Sequence, residues 1–323
     1  MDWSKGLEAR YYASFVDRVT WRDKDRLEIK GGTVSRSTSE LKESADIQTD
    51  IKLEEEKWIR VWMDAEQNGE LTHTAIFTGL ATSPKTDNNG RIMSNTWECY
   101  SVLKPLSDIL LERGWYAPAG SGSSVVRELL YATPAPAIIE SNMPVLQDHI
   151  IAEAGETYLS MLNKILLAIN WRIKISGKGE IYICPLATEP SALFGLDNDC
   201  IEPVFTKEND WYQSPNVFRA VMNADSVIVK DEEDIAKRGR EIWAEEQSCN
   251  LNVGETLYEY ARRRLKQSQR VSKKASYTRR YIPDLYVTDY VKFNYDQLDG
   301  VYVITSQKIN LGYGADTTEE VRQ

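Results

Sequence analysis

The chain has 323 residues, 42% apolar and 27% charged, with a net charge of −10. That length accommodates two or three domains, each able to bury a core, and the proportions exclude a disordered or fibrous chain. No apolar run reaches the roughly 18 to 20 residues of a membrane span, and the amino terminus lacks the apolar segment of a secretory signal, so synthesis in a cytoplasm is expected.

Residues 7 to 22 are rich in β-branched and aromatic side chains and predict an opening strand. Leu27 to Val34 predicts a second one interrupted by Gly31-Gly32, followed by a polar connection from Ser35 to Leu41. Ile59, Val61 and Met63 alternate with their neighbours, the chain turns at Asn68-Gly69, and Leu71, Ala75 and Phe77 return on odd positions, the pattern of a hairpin. Pro84 to Gly90 is a loop by composition, and alternation resumes from Arg91 to Leu103.

At Pro105 the period changes from two to about 3.6. Leu106, Ile109 and Leu110 have helical spacing, and Ser124 can cap a helix bearing Val125, Val126, Leu129 and Leu130. Glu153 to Ile169 carries the clearest helical stripe, through Tyr158, Met161, Leu162, Ile165 and Leu166. Trp171 to Ile175 and Glu180 to Cys184 flank a Gly-Lys-Gly turn as a hairpin. A loop-rich connection is expected from Pro185 to Pro215.

Strand character returns over Asn216 to Val229, then a short helix from Asp231 to Lys237 closed by Gly239, an exposed strand from Arg240 to Glu246, and a helix from Thr256 to Leu265. A second hairpin spans Asp289 to Leu311, with Val291, Phe293, Tyr295, Val301, Val303, Ile309 and Leu311 on its buried face and Asp299-Gly300 at its turn. Gly312 to Gln323 is expected to fray as an acidic tail. The fold class expected is α+β, mainly β: a first β-barrel over 1–104, an α+β module over 105–212, and a second β-barrel with one helix over 213–323.

Four dispersed cysteines, Cys99, Cys184, Cys200 and Cys249, and two histidines, His73 and His149, offer no clustered ligand set for zinc, and no metal or cofactor is expected. Sequence distance leaves a Cys–His catalytic pair open, against the reading of each cysteine as a small buried hydrophobe. Asp197 to Glu202 resembles a calcium loop in its carboxylate spacing but lacks the glycine and distant glutamate of an EF-hand; an Asx-rich turn is the simpler reading. Gly120 to Ser124 could hold a phosphate at a helix start, but no P-loop lysine follows. Trp58 and Trp62 are core or interface anchors, with sugar binding as the alternative. Nine cations and no acid lie between Arg262 and Arg280, so the remaining chain stands at −19 and should repel nucleic acid. Arg262, Arg263, Arg264 and Lys266 share a helix whose apolar stripe must be buried, which makes them candidates to meet acidic neighbours at a subunit interface.

Taken in order, Asn216-Val-Phe, Asp234-Ile-Ala-Lys-Arg-Gly, Glu255 to Leu265, Pro283-Asp-Leu with Asp289-Tyr-Val, and Gly300 to Ser306 resemble the second tube-type barrel of bacteriophage tail and baseplate hub proteins. The helix and hairpin at 153 to 184 resemble the module ahead of it. Asp2-Trp-Ser-Lys-Gly, Gly31-Gly-Thr-Val-Ser-Arg and Phe77-Thr-Gly resemble the first barrel of hubs from prophages of Gram-positive bacteria. The resemblance implies a structural, non-enzymatic adaptor in the virion tail. As a homotrimer of double barrels it would join the sixfold tail tube protein to a threefold spike or tip protein. The tape-measure protein would be a further partner, and DNA would only pass through. A tail-associated cell-wall hydrolase and a carbohydrate-binding host-recognition module are the alternatives.

Overall fold

The computed structural model describes the chain apart from residues 1, 4, 89–92, 188, 196–200, 210, 211, 213, 223, 224, 248, 250, 252–254, 271, 272, 284, 296, 297 and 313–315. Its first part is β1 (Glu8–Val16), β2 (Asp23–Glu28), β3 (Gly31–Ser37), β4 (Glu43–Thr49), β5 (Lys57–Gln67), β6 (Glu70–Asn88) and β7 (Met93–Ser101). They lie in the order β3-β4-β7-β6-β5-β1-β2. The β5–β6 turn is built by Asn68 and Gly69 at φ 54° and 81°, a two-residue turn that demands positive φ at both positions. Leu27 of β2 and Val34 of β3, at opposite ends of this run, share one core with Ile47, Ile59, Val61, Phe77 and Trp97, so the run curls around its own interior. The segment expected as one strand over 27–34 is two strands, and what read as a polar connection at Ser35 completes β3.

The middle part comprises α1 (Lys104–Asp108), β8 (Trp115–Ala117), α2 (Ser123–Leu130), β9 (Ala137–Ile139), β10 (Ile150–Ala152), α3 (Tyr158–Ala168), β11 (Trp171–Ile175) and β12 (Ile181–Pro185). Helix α3 starts five residues later than its apolar stripe suggests, because Gly155 turns the chain at φ 91° and the extended Thr157 caps the helix, its hydroxyl accepting from the Ser160 amide at 3.0 Å. Leu159, Leu162, Ile165 and Leu166 are buried against α1, α2, β10 and β11. Ile109 and Leu110, expected on the first helix, lie beyond its end and are exposed.

The last part contains β13 (Pro190–Gly195), β14 (Ile201–Asn209), β15 (Val217–Met222), β16 (Asp225–Lys230), α4 (Glu232–Arg238), β17 (Trp243–Gln247), α5 (Leu257–Arg270), β18 (Lys273–Arg280), β19 (Tyr290–Tyr295), β20 (Leu298–Asn310) and β21 (Asp316–Arg322). Strands β13 and β14 replace the expected loop-rich connection and pair with β19 and β18. The expected fraying tail is β21, held between β18 and β20 with Thr317, Glu319 and Val321 buried. Strand pairing outweighs its polar composition. Asp299 and Gly300 lie in β20, opposite Asn294 and Phe293, rather than at the turn. Strands β15, β16 and β17 form a separate sheet, covered on one face by Tyr260, Ala261 and Leu265 of α5. Asp231 caps α4, and Gly239 ends it at φ 68°.

Candidate assembly site

Strand β20 joins the two halves of the molecule. Its first half pairs with β19, and its second half, from Ser306 to Asn310, pairs with β3, so one 13-stranded sheet includes strands from both ends of the chain. A register shift between Ile304 and Ser306 marks the change of partner. The extra residue also switches which side chains point inward. Before it Tyr302 and Ile304 are buried, after it Gln307 and Ile309; Val301, expected inside, is exposed.

Across this join runs a row of polar side chains set directly opposite one another. Tyr277 faces Glu319, Glu319 faces Gln307, Gln307 faces Arg36, and Arg36 faces Glu43, on β18, β21, β20, β3 and β4. All five are buried. Glu319 accepts from Arg279 Nε at 2.8 Å, from Gln307 Nε2 at 2.6 Å and from the Tyr277 hydroxyl. Arg36 donates to Glu43 at 3.3 Å, to the Ile76 carbonyl at 2.6 Å and to Gln307 at 3.5 Å. Burial pushes the Glu43 carboxyl up to about 7 even beside Arg36. One Glu43 oxygen, Oε1, has no hydrogen-bond partner. A one-residue slip anywhere along the row would strand buried charge, so the row fixes how the halves register.

The middle part is clamped to the first barrel through the turn between β11 and β12. Arg60 donates to Lys178 O at 2.9 Å and pairs with Asp23 at 2.6 Å, the Trp21 indole donates to Lys178 O at 2.9 Å, and Thr78 donates to Gly177 O at 2.7 Å. A Cβ on Gly177 would lie 1.8 Å from the Ala75 carbonyl oxygen, so only glycine fits.

The four cations singled out from the sequence separate into two pairs. Arg263 and Arg264 are satisfied within the chain, by Glu255 and by Glu246, each at 2.7 Å. Arg262 and Lys266 are exposed, and all four cations border one open depression with Leu167, Leu186 and Tyr290. Thr256 and Glu259 cap the helix reciprocally, the arrangement that sets its start.

The remaining candidates have structural roles where they are described. Cys99 is buried, and burial raises its thiol pKa well above the usual range, which leaves no thiolate for chemistry. His73 pairs with Asp64 at 2.7 Å on an exposed strand face, and His149 stacks on Tyr116. The Gly120 loop bonds back to Leu146 and Pro118 through its backbone and Ser121. Trp58 packs on Trp21 in the interior, and Trp62 stacks on Tyr12, which Arg26 covers. The Asp197-to-Cys200 part of the calcium-like stretch lies outside the described residues, as does Cys200 itself. The buried polar row had no motif to announce it; its signal, a glutamate and a glutamine on inward strand positions, reads as solvent-facing until partners from four other strands are known.

No family model matches the sequence, and no curated protein matches it. Among solved structures, 97% of the chain matches 97% of the tail protein from Neisseria meningitidis MC58, at 14% identity and a TM-score of 0.73. The prophage MuSo2 43 kDa tail protein from Shewanella oneidensis matches 97% of the chain over 98% of its own, at 14% identity and a TM-score of 0.69. Prophage tail protein gp18 from Listeria monocytogenes EGD-e matches 97% over 94%, at 10% identity and 0.59. At these identities the likeness is one of fold. A mainly β chain, with strands from both ends in one sheet and a helical module between, it has the fold of phage tail and baseplate hub proteins.

Proposed function

We propose that the chain is a structural hub of a phage or phage-derived tail, placed in the virion between the sixfold tail tube and a threefold spike or tip complex and lining the passage for DNA. The observation that carries the reading is the pairing of β20 with β3, locked by the buried row from Tyr277 to Glu43, which makes one rigid body of two hairpin-built halves. Three such subunits would offer six quasi-equivalent units and so reconcile sixfold with threefold symmetry. The division into a first barrel at 1–104, a middle module at 105–212 and a second barrel at 213–323 belongs to this reading, with β13 and β14 of the middle stretch contributing to the second barrel. Tail tube protein, spike or tip protein and tape-measure protein are its partners. The net acidic chain lets DNA pass because like charge removes the counterion release that would hold it. No catalytic step is part of the role.

Imaging of assembled particles tests this. Three copies on the tail axis, directly below the tube, are expected; two copies, or a position away from the axis, would overturn it.

A further inference from the structure

Two surfaces at opposite ends of α3 have complementary chemistry. Near its carboxyl end, two adjoining depressions of about 740 and about 980 Å³ share Lys266, Gln267 and Tyr290. Arg262 and Lys266 border the first, Lys273 and Arg322 the second. Among the described residues none of these four cations has an ion-pair partner, whereas the acids in the same trench are engaged, Glu246 with Arg264 and Glu259 with Thr256. Leu167, Leu186 and Val301 line the trench while 71%, 44% and 40% exposed. It is an apolar furrow with unneutralised positive borders.

Near the amino end of α3, β8 and β10 present the opposite character. Tyr116 faces Ile151 across the strand pair, and both stand out, 60% and 56% exposed, with His149 stacked on the tyrosine. Glu112, Asp148 and Glu153 are exposed on the same segments, with Arg113 among them and Lys164 beside them, its ammonium donating to the Ile151 carbonyl and paired with Glu156. The charge division follows: residues 105–212 hold 7 cations against 14 acids, residues 213–323 hold 17 of each. Ile109 is bonded to the first turn of α3, and Leu167 lies in its last. Eleven residues of helix, about 16 Å, keep the two surfaces of one chain apart.

We infer that they are the two halves of a heterologous contact between copies of this chain, the Tyr116–Ile151 face of one subunit seated in the trench of the next, with acids against Arg262, Lys266, Lys273 and Arg322. Every subunit carries one of each, so the contact repeats from copy to copy and can close a ring. Tyr116, Ile151 and the aliphatic floor supply the affinity; the charges orient the encounter and speed it. This rests on the multi-subunit role proposed above and adds which surfaces meet.

Sedimentation or native mass measurement of the full chain over a wide concentration range at low salt tests it. Arg262→Glu with Lys266→Glu, and separately Glu112→Lys with Asp148→Lys, should each weaken self-association at least tenfold while the thermal melt stays that of the parent. Combining all four substitutions in one chain should restore it, because each reversed face then meets its opposite, whereas mixing the two variants should restore pairing between unlike chains only and leave a ring of three with one repelling contact. Ile151→Asp should give the same loss without altering the trench. A parent that stays monomeric at the highest concentration, variants that associate as the parent does, or a combined chain that does not recover would each overturn the contact. Particle images showing three copies on the axis with another surface between them would sink this contact and leave the hub role standing. Copies away from the axis would sink the hub role, whatever the charge swap shows.

Discussion

Arg279 and Glu319 are buried, and they form an ion pair toward the Tyr277 end of the row that joins the two halves. Breaking such a buried pair from one side typically costs about 3 to 5 kcal/mol, whereas replacing both with apolar groups of similar volume costs far less. Arg279→Met is therefore expected to lower the urea midpoint sharply, and the Arg279→Met, Glu319→Leu double variant to recover much of the loss, a non-additivity read from the double-mutant cycle. Glu43 supplies a pH signature at the end of the same row. Burial raises its folded-state value to about 7 from the ordinary 4.5, so the folded chain retains a proton that the unfolded chain has released. Its favourable contribution is complete below the ordinary value and disappears as pH rises to about 7. Melting temperature should fall between pH 5 and 7, and Glu43→Gln should flatten that slope. The window lies well above the carboxyl of Glu156, held down to about 2 mainly by Lys164, so that group does not contribute to it.

At the scale of elements, the β11–β12 turn decides whether the middle part moves with the first barrel. Gly177 lies against the Ala75 carbonyl, and the backbone there cannot yield without disturbing the β5–β6 pairing. Gly177→Ala is expected to push the turn outward, lose the Arg60 and Thr78 contacts to it, and destabilise by about 1 to 3 kcal/mol, the usual range for overpacking. Limited proteolysis should then cut between 176 and 180, where the parent resists. Hairpins and helices of this kind were legible from the sequence, as in β5–β6 and α3, although a register shift opposite Val61 and Trp62 buries Ile76 and leaves Leu71, expected with Ala75 and Phe77, exposed. The misreadings fall where a bulge or a partner overrides local pattern. The bulge in β20 exchanges Val301 for Tyr302 as the inward residue, and β21 is a strand because β18 and β20 supply its hydrogen bonds, although its glutamates are weak strand formers and its composition reads as a polar tail.

For the whole molecule, the uneven charge governs association. Among the described residues Arg262, Lys266, Lys273 and Arg322 have no ion-pair partner, while Arg263 and Arg264, which line the same trench, pair with Glu255 and Glu246. Reversal of Arg263 and Arg264 is thus expected to disturb the α5 region itself, whereas reversal of Arg262 and Lys266 should act on assembly alone. Exposed charge pairs are screened over about 8 Å at physiological ionic strength, so the assembly rate should fall steeply with added salt while the thermal stability of the single subunit changes little. Stopped-flow light scattering across a salt series reads the first, and calorimetry the second.

From residues alone came the mainly β class, both long hairpins, the helical interlude, the cation run on α5, and a resemblance in motif order to tail hub proteins. These depend on spacing over a few turns or strand lengths, which the chain carries locally. Only the tertiary structure decided that β3 and β20, separated by some 270 residues of sequence, lie side by side, that Gln307 and Glu319 are interior, and that a glycine turn is the clamp between module and barrel. Such features depend on what stands across the sheet. A side chain's burial and a strand's partner are settled by packing between distant segments, and no local period records them.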